Sequence, residues 1–159
     1  MTLPSRLLKI TAIICILAVA FALFSQHVLG MRPCAWCVLQ RVILLAIAAV
    51  CLIAAYLPLL PKLMSVLAAA LAASGVLAAW YQHTVASEMF SCAQTFADKF
   101  ISNSGLDILM PWLFGVYATC MDAKVKLLGI EYAIWGLIIF VICLILIALS
   151  IISRRNHSA

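Results

Sequence analysis

Four long apolar runs, at residues 10–29, 42–60, 63–81 and 132–152, constrain this chain more than any other feature. Each is close to the ~20 residues that cross a ~30 Å hydrocarbon layer as an α-helix. Inside such a layer the backbone finds no water, and a helix satisfies its N–H and C=O groups within one segment. With 68% hydrophobic and 9% charged residues, and a mean hydropathy of +1.24, the chain has too little polar surface for a soluble domain. The expected fold is therefore an all-α membrane protein, a four-transmembrane-helix bundle forming one domain over residues 1–159. Both termini then lie on one side. The first run shares features with a cleaved signal, since Arg6 and Lys9 precede it and Ala18 and Ala20 are small. It is longer than a usual signal core, and its removal would leave the same loops outside.

Charge placement orients the bundle. Arg6, Lys9, Lys62, Arg154 and Arg155 crowd into two short tails and one tight turn, whereas Arg32, Arg41, Lys99, Lys124 and Lys126 are spread over longer segments. Density of basic residues in short segments marks the cytoplasmic side. The acidic residues Glu88, Asp98, Asp107, Asp122 and Glu131 all fall on the other side. The net charge of +5 thus reflects membrane topology and gives no reason to expect nucleic-acid binding.

The turn at 57–62 carries Pro58 and Pro61, which stop helix propagation and leave no room for a domain. The opposite face holds a short loop, about 30–41, and a long one, about 82–131, and function is expected there. Within the long loop, residues 108–117 are apolar but too short to span; they predict a short interfacial helix broken near Pro111. Trp80, Trp112 and Trp135 fall at span ends or in that stretch, as aromatic belts do. There is no internal repeat or glycine-rich phosphate loop, so nucleotide chemistry has no support.

Seven cysteines divide by position. Cys15, Cys51 and Cys143 sit deep in apolar runs, where a thiol behaves as a small hydrophobe. Cys34, Cys37, Cys92 and Cys120 all fall in the two loops of one face, and an even number on an oxidising face suggests disulfides. Cys34-Ala35-Trp36-Cys37 is a CxxC whose close sulfurs can form a small-ring disulfide; Cys92 and Cys120 must meet by folding. The CxxC opens the second span, where free backbone N–H groups and the helix dipole favour a thiolate. Arg41 follows Cys37 at i, i+4, so its permanent charge falls on the same helix face; the bland alternative is snorkelling to lipid phosphate. A zinc site of four loop thiols is a second reading, weakened by the distance between Cys92 and Cys120. Purely structural disulfides suit that pair better than the readily exchanged CxxC. His83 is expected at the outer end of the third span, at the depth of Arg41.

Four spans, a CxxC opening the second, an arginine one turn later and a cysteine pair in the last outer loop resemble the DsbB family of disulfide bond formation proteins. The likeness covers nearly the whole chain and is most specific over residues 34–41, Gln82-His83-Thr84, the loop from Cys92 to Cys120, and Leu128-Gly129. It implies a quinone-dependent thiol-disulfide oxidoreductase of the bacterial inner membrane, with catalytic loops periplasmic. The partner implied is a DsbA-type thioredoxin-fold oxidase, the cofactor ubiquinone or menaquinone, and the quinol returns electrons to the respiratory chain. By the same resemblance the disulfides are Cys34–Cys37 and Cys92–Cys120. Cys92 is then attacked by the partner, Cys120 attacks Cys34, and Cys37 is released beside the quinone, with Arg41 and His83 as quinone-binding residues. Two departures, Ala118-Thr119 before Cys120 and Glu131-Tyr132-Ala133 at the final span, touch loop geometry and leave room for a paralogue serving a dedicated oxidase. Reductases of the vitamin K epoxide reductase type share these parts but carry their CxxC late in the chain. A non-catalytic membrane subunit with structural disulfides is the alternative from another class.

Overall fold

Each apolar run is a helix whose ends differ from those of the run itself. The computed structural model describes residues 3–57, 61–86, 95–122 and 125–156. In chain order the helices are α1 (Leu3–His27), α2 (Ala35–Tyr56), α3 (Pro61–Thr84), α4 (Phe96–Ser104), α5 (Leu106–Leu109) and α6 (Pro111–Phe114). A two-residue hairpin, β1 (Lys126–Leu127) and β2 (Ile130–Glu131), then leads into α7 (Tyr132–Asn156). Helices α1, α2, α3 and α7 are long and apolar enough to cross a membrane. Helix α2 begins well before Val42, directly after Cys34, so the CxxC lies in its first turn.

The four long helices form a ring in which α1 packs on α2, α2 on α3, α3 on α7, and α7 back on α1. At one end Ser150 Oγ donates to Pro4 O (3.1 Å), Arg154 donates to Ala54 O (3.4 Å), and the Lys9 ammonium lies 4.2 Å from the centre of the Tyr56 ring. The other end gathers Gln26 and His27 of α1, the start of α2, the end of α3 and the start of α7. Between the ends runs an apolar core that includes Leu8, Ile47, Phe140 and Ile147.

The closeness of α3 and α7 has a local cause. Ala68, Ala72, Gly75 and Ala79 are buried at helical spacing along α3, and small residues let helix backbones approach in lipid. A Cβ at Gly75 would run into the Phe140 ring of α7. Large side chains such as Ile13, Leu17, Leu77 and Ile145 point outward instead, a surface suited to lipid.

The second loop holds more structure than its sequence suggests. Helix α4 starts at Thr95, whose side chain accepts a hydrogen bond from Asp98 N (3.3 Å), and it buries Ala97 and Ile101. The expected short helix is two single turns, α5 and α6, separated by Met110 in a non-helical conformation (φ −137°, ψ 70°). Pro111 explains the break, because it lacks the N–H that would continue α5 yet suits the first turn of α6. The hairpin pairs Lys126 with Glu131 and Leu127 with Ile130 across Leu128 (φ 55°) and Gly129 (φ 84°). Two successive positive φ angles are the signature of a type I′ turn, whose twist matches the strands.

Candidate functional site

The backbone of Cys34 is extended (φ −89°, ψ 172°) and its carbonyl accepts the first helical hydrogen bond of α2 from Val38 N at 3.1 Å. Cys37 therefore sits among the unpaired N–H groups of the first turn, where partial positive charge collects. The Cys34 and Cys37 sulfurs are 3.2 Å apart. Cys34 is fully buried. Its hydrogen bond with Cys37, and then its burial, hold its thiol well above the ordinary value of 9.0.

Donors converge on Cys37. Gln82, near the end of α3, points its side-chain N–H at the Cys37 sulfur (3.2 Å) and lies 3.7 Å from that of Cys34. Gln40, one turn into α2, donates to Gln82 Oε1 at 2.6 Å and so fixes which way the Gln82 amide faces. Room for Gln40 comes from Gly136 on α7, where a Cβ would stand 2.6 Å from Gln40 Oε1.

Arg41 is 5% exposed and does not reach out to lipid phosphate. It donates from Nη1 to Gln26 Oε1 (2.6 Å) and Leu113 O (2.9 Å), and from Nη2 to Ala22 O (3.3 Å). All three acceptors are uncharged, and Arg41 Nε is buried without a partner. A buried cation with an unused donor leaves a positive potential that is balanced best by an anion or a polarised oxygen.

A cavity of about 560 Å³, its open side included, runs along this cluster. Phe21, Leu44, Trp135 and Ile139 give it apolar walls; Cys37, Gln40, Arg41, Gln82 and Tyr132 give it a polar edge. His83 is not in this lining. Its Nδ1 stands 2.6 Å from Glu131 Oε2, joining the end of α3 to the hairpin before α7.

Cys120 is 2% exposed and disulfide-bonded. It belongs to the same buried cluster as Cys34, Trp36, Ala86 and Ala97. The strand of chain before it is tied to the CxxC, because Tyr117 N and Ala118 N both donate to Pro33 O (3.0 and 3.2 Å). Cys92 lies outside the described residues. The site thus joins Cys34, Cys37 and Arg41 with Cys120 close to Cys34. Gln26, Gln40, Gln82 and Tyr132 complete it, a role that sequence spacing alone does not reveal. The available signal was a polar amide in an apolar helix, which needs a partner.

The sequence matches the family Disulfide bond formation protein DsbB over residues 4–150. The chain belongs to the DsbB family. It is 34% identical over 155 residues to Disulfide bond formation protein B 1 of Pseudomonas entomophila, covering 96% of this chain and 92% of that one. The protein of the same name in Pseudomonas putida is 33% identical over 156 residues, covering 96% and 93%. Disulfide bond formation protein B of a Polaromonas species is 30% identical over 161 residues, covering 96% and 92%. This DsbB family member is accordingly a multi-pass membrane disulfide bond formation protein with a disulfide oxidoreductase's chemistry.

Proposed function

We propose that this DsbB family member re-oxidises a periplasmic thioredoxin-fold dithiol oxidase of the DsbA type and passes the electrons to a membrane quinone. The observation that carries this reading is the Cys37 sulfur in the wall of an apolar cavity beside Arg41, a buried cation with an unpartnered Nε–H. The residues fit the group. Arg41 and Gln82 offer N–H donors and Tyr132 a hydroxyl for carbonyl oxygens, while Phe21, Leu44 and Trp135 offer apolar contact for a ring. A bound ubiquinone or menaquinone supplies a sink for two electrons and two protons.

The protein's own part is thiol exchange. With the loop pair Cys92–Cys120 oxidised, the partner's thiolate attacks Cys92, a mixed disulfide forms, and Cys120 leaves as a thiolate. Cys120 then attacks Cys34 of the oxidised CxxC, and Cys37 leaves as a thiolate under the Gln82 N–H and beside Arg41; the partner's second thiolate displaces Cys92 and leaves oxidised, and Cys92 attacks Cys120, restoring the loop disulfide and freeing Cys34 as a thiol. The bonded state of Cys120 and its place in one buried cluster with Cys34 support this order. A downhill final step pulls the exchanges along, since ~30 mV corresponds to ~1.4 kcal/mol for two electrons. In this reading the protein lies in the bacterial inner membrane with both termini cytoplasmic and the loops carrying Cys34 and Cys120 periplasmic. The chain's own Ala118-Thr119 and Glu131-Tyr132-Ala133 sequences leave room for the alternative, a paralogue serving a dedicated oxidase within the same class.

Anaerobic mixing of the purified, quinone-loaded protein with a reduced periplasmic thioredoxin-fold oxidase tests the proposal, with quinone reduction followed by absorbance. Stoichiometric quinol is expected from the intact protein and none from Cys34→Ser or Cys92→Ser. Dithiol oxidation that persists in both variants would make the disulfides structural and end the reading. Arg41→Met removes a charge-assisted hydrogen bond of about 1.5–3 kcal/mol, so the KM for quinone rises roughly 10- to 150-fold while the exchange at Cys92 keeps its rate.

A further inference from the structure

Two further cavities continue the one beside Cys37 toward the outer loops. The nearer, about 320 Å³ with its open side, shares Ala22, Cys37, Arg41 and Tyr132 with the apolar cavity and adds Ser25 and Arg32. The farther, about 740 Å³, shares Met31, Arg32 and Val125 with the nearer one and reaches the exposed Asp122. Tyr132 therefore stands in the wall between the apolar cavity and a polar one that adjoins the loop surface. Its hydroxyl is hydrogen-bonded to Ser25, which is 2% exposed and donates to Phe21 O at 2.8 Å. Ser25 lines the polar cavity and not the apolar one. Hydroxyl hydrogens rotate to suit, so this pair can carry a proton from Ser25 to Tyr132 and on into the apolar cavity. His83 and Glu131 line neither cavity. Tyr132 also belongs to the stretch Glu131-Tyr132-Ala133, in which the chain departs from the family pattern.

We propose that Tyr132 delivers a proton to the quinone oxygen, and that Ser25 and water in the polar cavity replenish it from the outer loops. The acceptor is that of the function proposed above, and this inference rests on that reading. The relay leaves Cys34 as a thiol and Cys37 as a thiolate. When the two sulfurs give up two electrons and close their disulfide, quinol needs two protons. One comes from Cys34, and the other has to come from outside the pair. Tyr132 gives up its hydroxyl proton as the electron pair leaves Cys37. Ser25 then turns its own proton to the phenolate oxygen and takes another from water, so both hydroxyls end as they began. A phenol, with an ordinary pKa of about 10, stays protonated until that charge arrives. The polar cavity has room for about one water molecule, with Ser25, Tyr132 and two guanidinium groups around it. Neither arginine bars the proton, because the Cys37 thiolate offsets Arg41, and Arg32 is exposed and screened by solvent.

The test uses the whole protein in lipid nanodiscs with a short-chain ubiquinone. Binding is read on the oxidised protein by quenching of tryptophan fluorescence, and quinol formation on the pre-reduced protein by anaerobic stopped-flow absorbance at saturating quinone. Tyr132→Phe should slow quinol formation by about 100-fold or more, as loss of a general acid does, while the Kd for quinone rises by no more than about tenfold. Ser25→Ala, which removes one hydrogen bond of the chain, should slow it roughly tenfold and leave the Kd unchanged, because Ser25 lines only the polar cavity. Quinol formation at the wild-type rate in either variant would overturn this inference alone. So would a loss of rate in Tyr132→Phe that more quinone restores, since Tyr132 would then only bind. Absence of quinol formation and of quenching in the wild-type protein would overturn it together with the quinone reading.

Discussion

Gln82 and His83 are neighbours in the chain, yet only Gln82 lines the cavity. Successive residues on a helix are turned by about 100°, so when one faces the bundle the next faces aside. His83 accordingly meets Glu131, and Gln82 meets Cys37. Cys34, Cys37 and Arg41 were legible in the sequence because their relation is local, set by spacing at one helix start. The Gln40–Gln82 hydrogen bond was not, because it depends on how α2 packs on α3. The pair separates two roles. Gln82→Leu should destabilise the protein by about 1–3 kcal/mol, because Gln40 is left buried without its acceptor, and should slow quinone reduction about tenfold. In the double variant Gln40→Leu/Gln82→Leu both polar partners are gone, so thermal stability in detergent should recover while the slow reduction remains. Recovery of both would assign the amides to packing alone. The pH behaviour of the dithiol follows from Cys34. Because its thiol is held well above 9.0, Cys34 stays protonated as the pH rises through 9, and its alkylation by iodoacetamide, read by mass spectrometry, should appear only at higher pH. Modification of Cys34 at neutral pH would contradict the hydrogen-bonded, buried geometry.

At the level of elements, the four spans were readable because a run of apolar residues in lipid has one good backbone solution. Helix α4 and the hairpin were harder to see. The Thr95-to-Asp98 spacing is a usable helix-start signal, but Leu128 is a residue that disfavours the left-handed region, so the turn rests on Gly129 and on tertiary ties. Those ties are Tyr132 N to Val125 O (3.0 Å) and Trp135 Nε1 to Leu127 O (3.2 Å). The packing of α3 on α7 has a direct link to the site. Gly75 and Gln82 lie on one face of α3, and Phe140 is one turn from Gly136, which makes room for Gln40. Gly75→Leu forces the Phe140 ring aside, and overpacking of this kind costs about 1–3 kcal/mol. The expected outcome is a lower Tm in detergent together with slower quinone reduction, because α7 moves away from Gln40. A drop in Tm with unchanged kinetics would show that the lower and upper parts of the α3–α7 contact are independent.

For the molecule as a whole, the ring of helices sorts the chemistry to one end. The start of α3 shares the other end with Lys9, Arg154 and Tyr56, while Cys34, Cys37, Gln82, Glu131 and Cys120 lie together. Cys37, Gln82 and Arg41 thus meet the apolar cavity at the same end as Cys120. Charge density predicts which compartment each end faces. Basic residues in short tails and turns resist translocation, and Arg6, Lys9, Lys62 and Arg154 all belong to the end without the CxxC. The bias is one of density and not of number, so it calls for a direct measurement. Exposed positions at each end, Ser104 at the end of α4 and Lys62 at the start of α3, accept a cysteine without burying it. In intact cells a membrane-impermeant maleimide should modify Ser104→Cys, and should modify Lys62→Cys only after the membrane is opened. The reverse pattern would place the dithiol in a reducing compartment, where glutathione and thioredoxin would keep Cys34 and Cys37 reduced and no oxidase would need them.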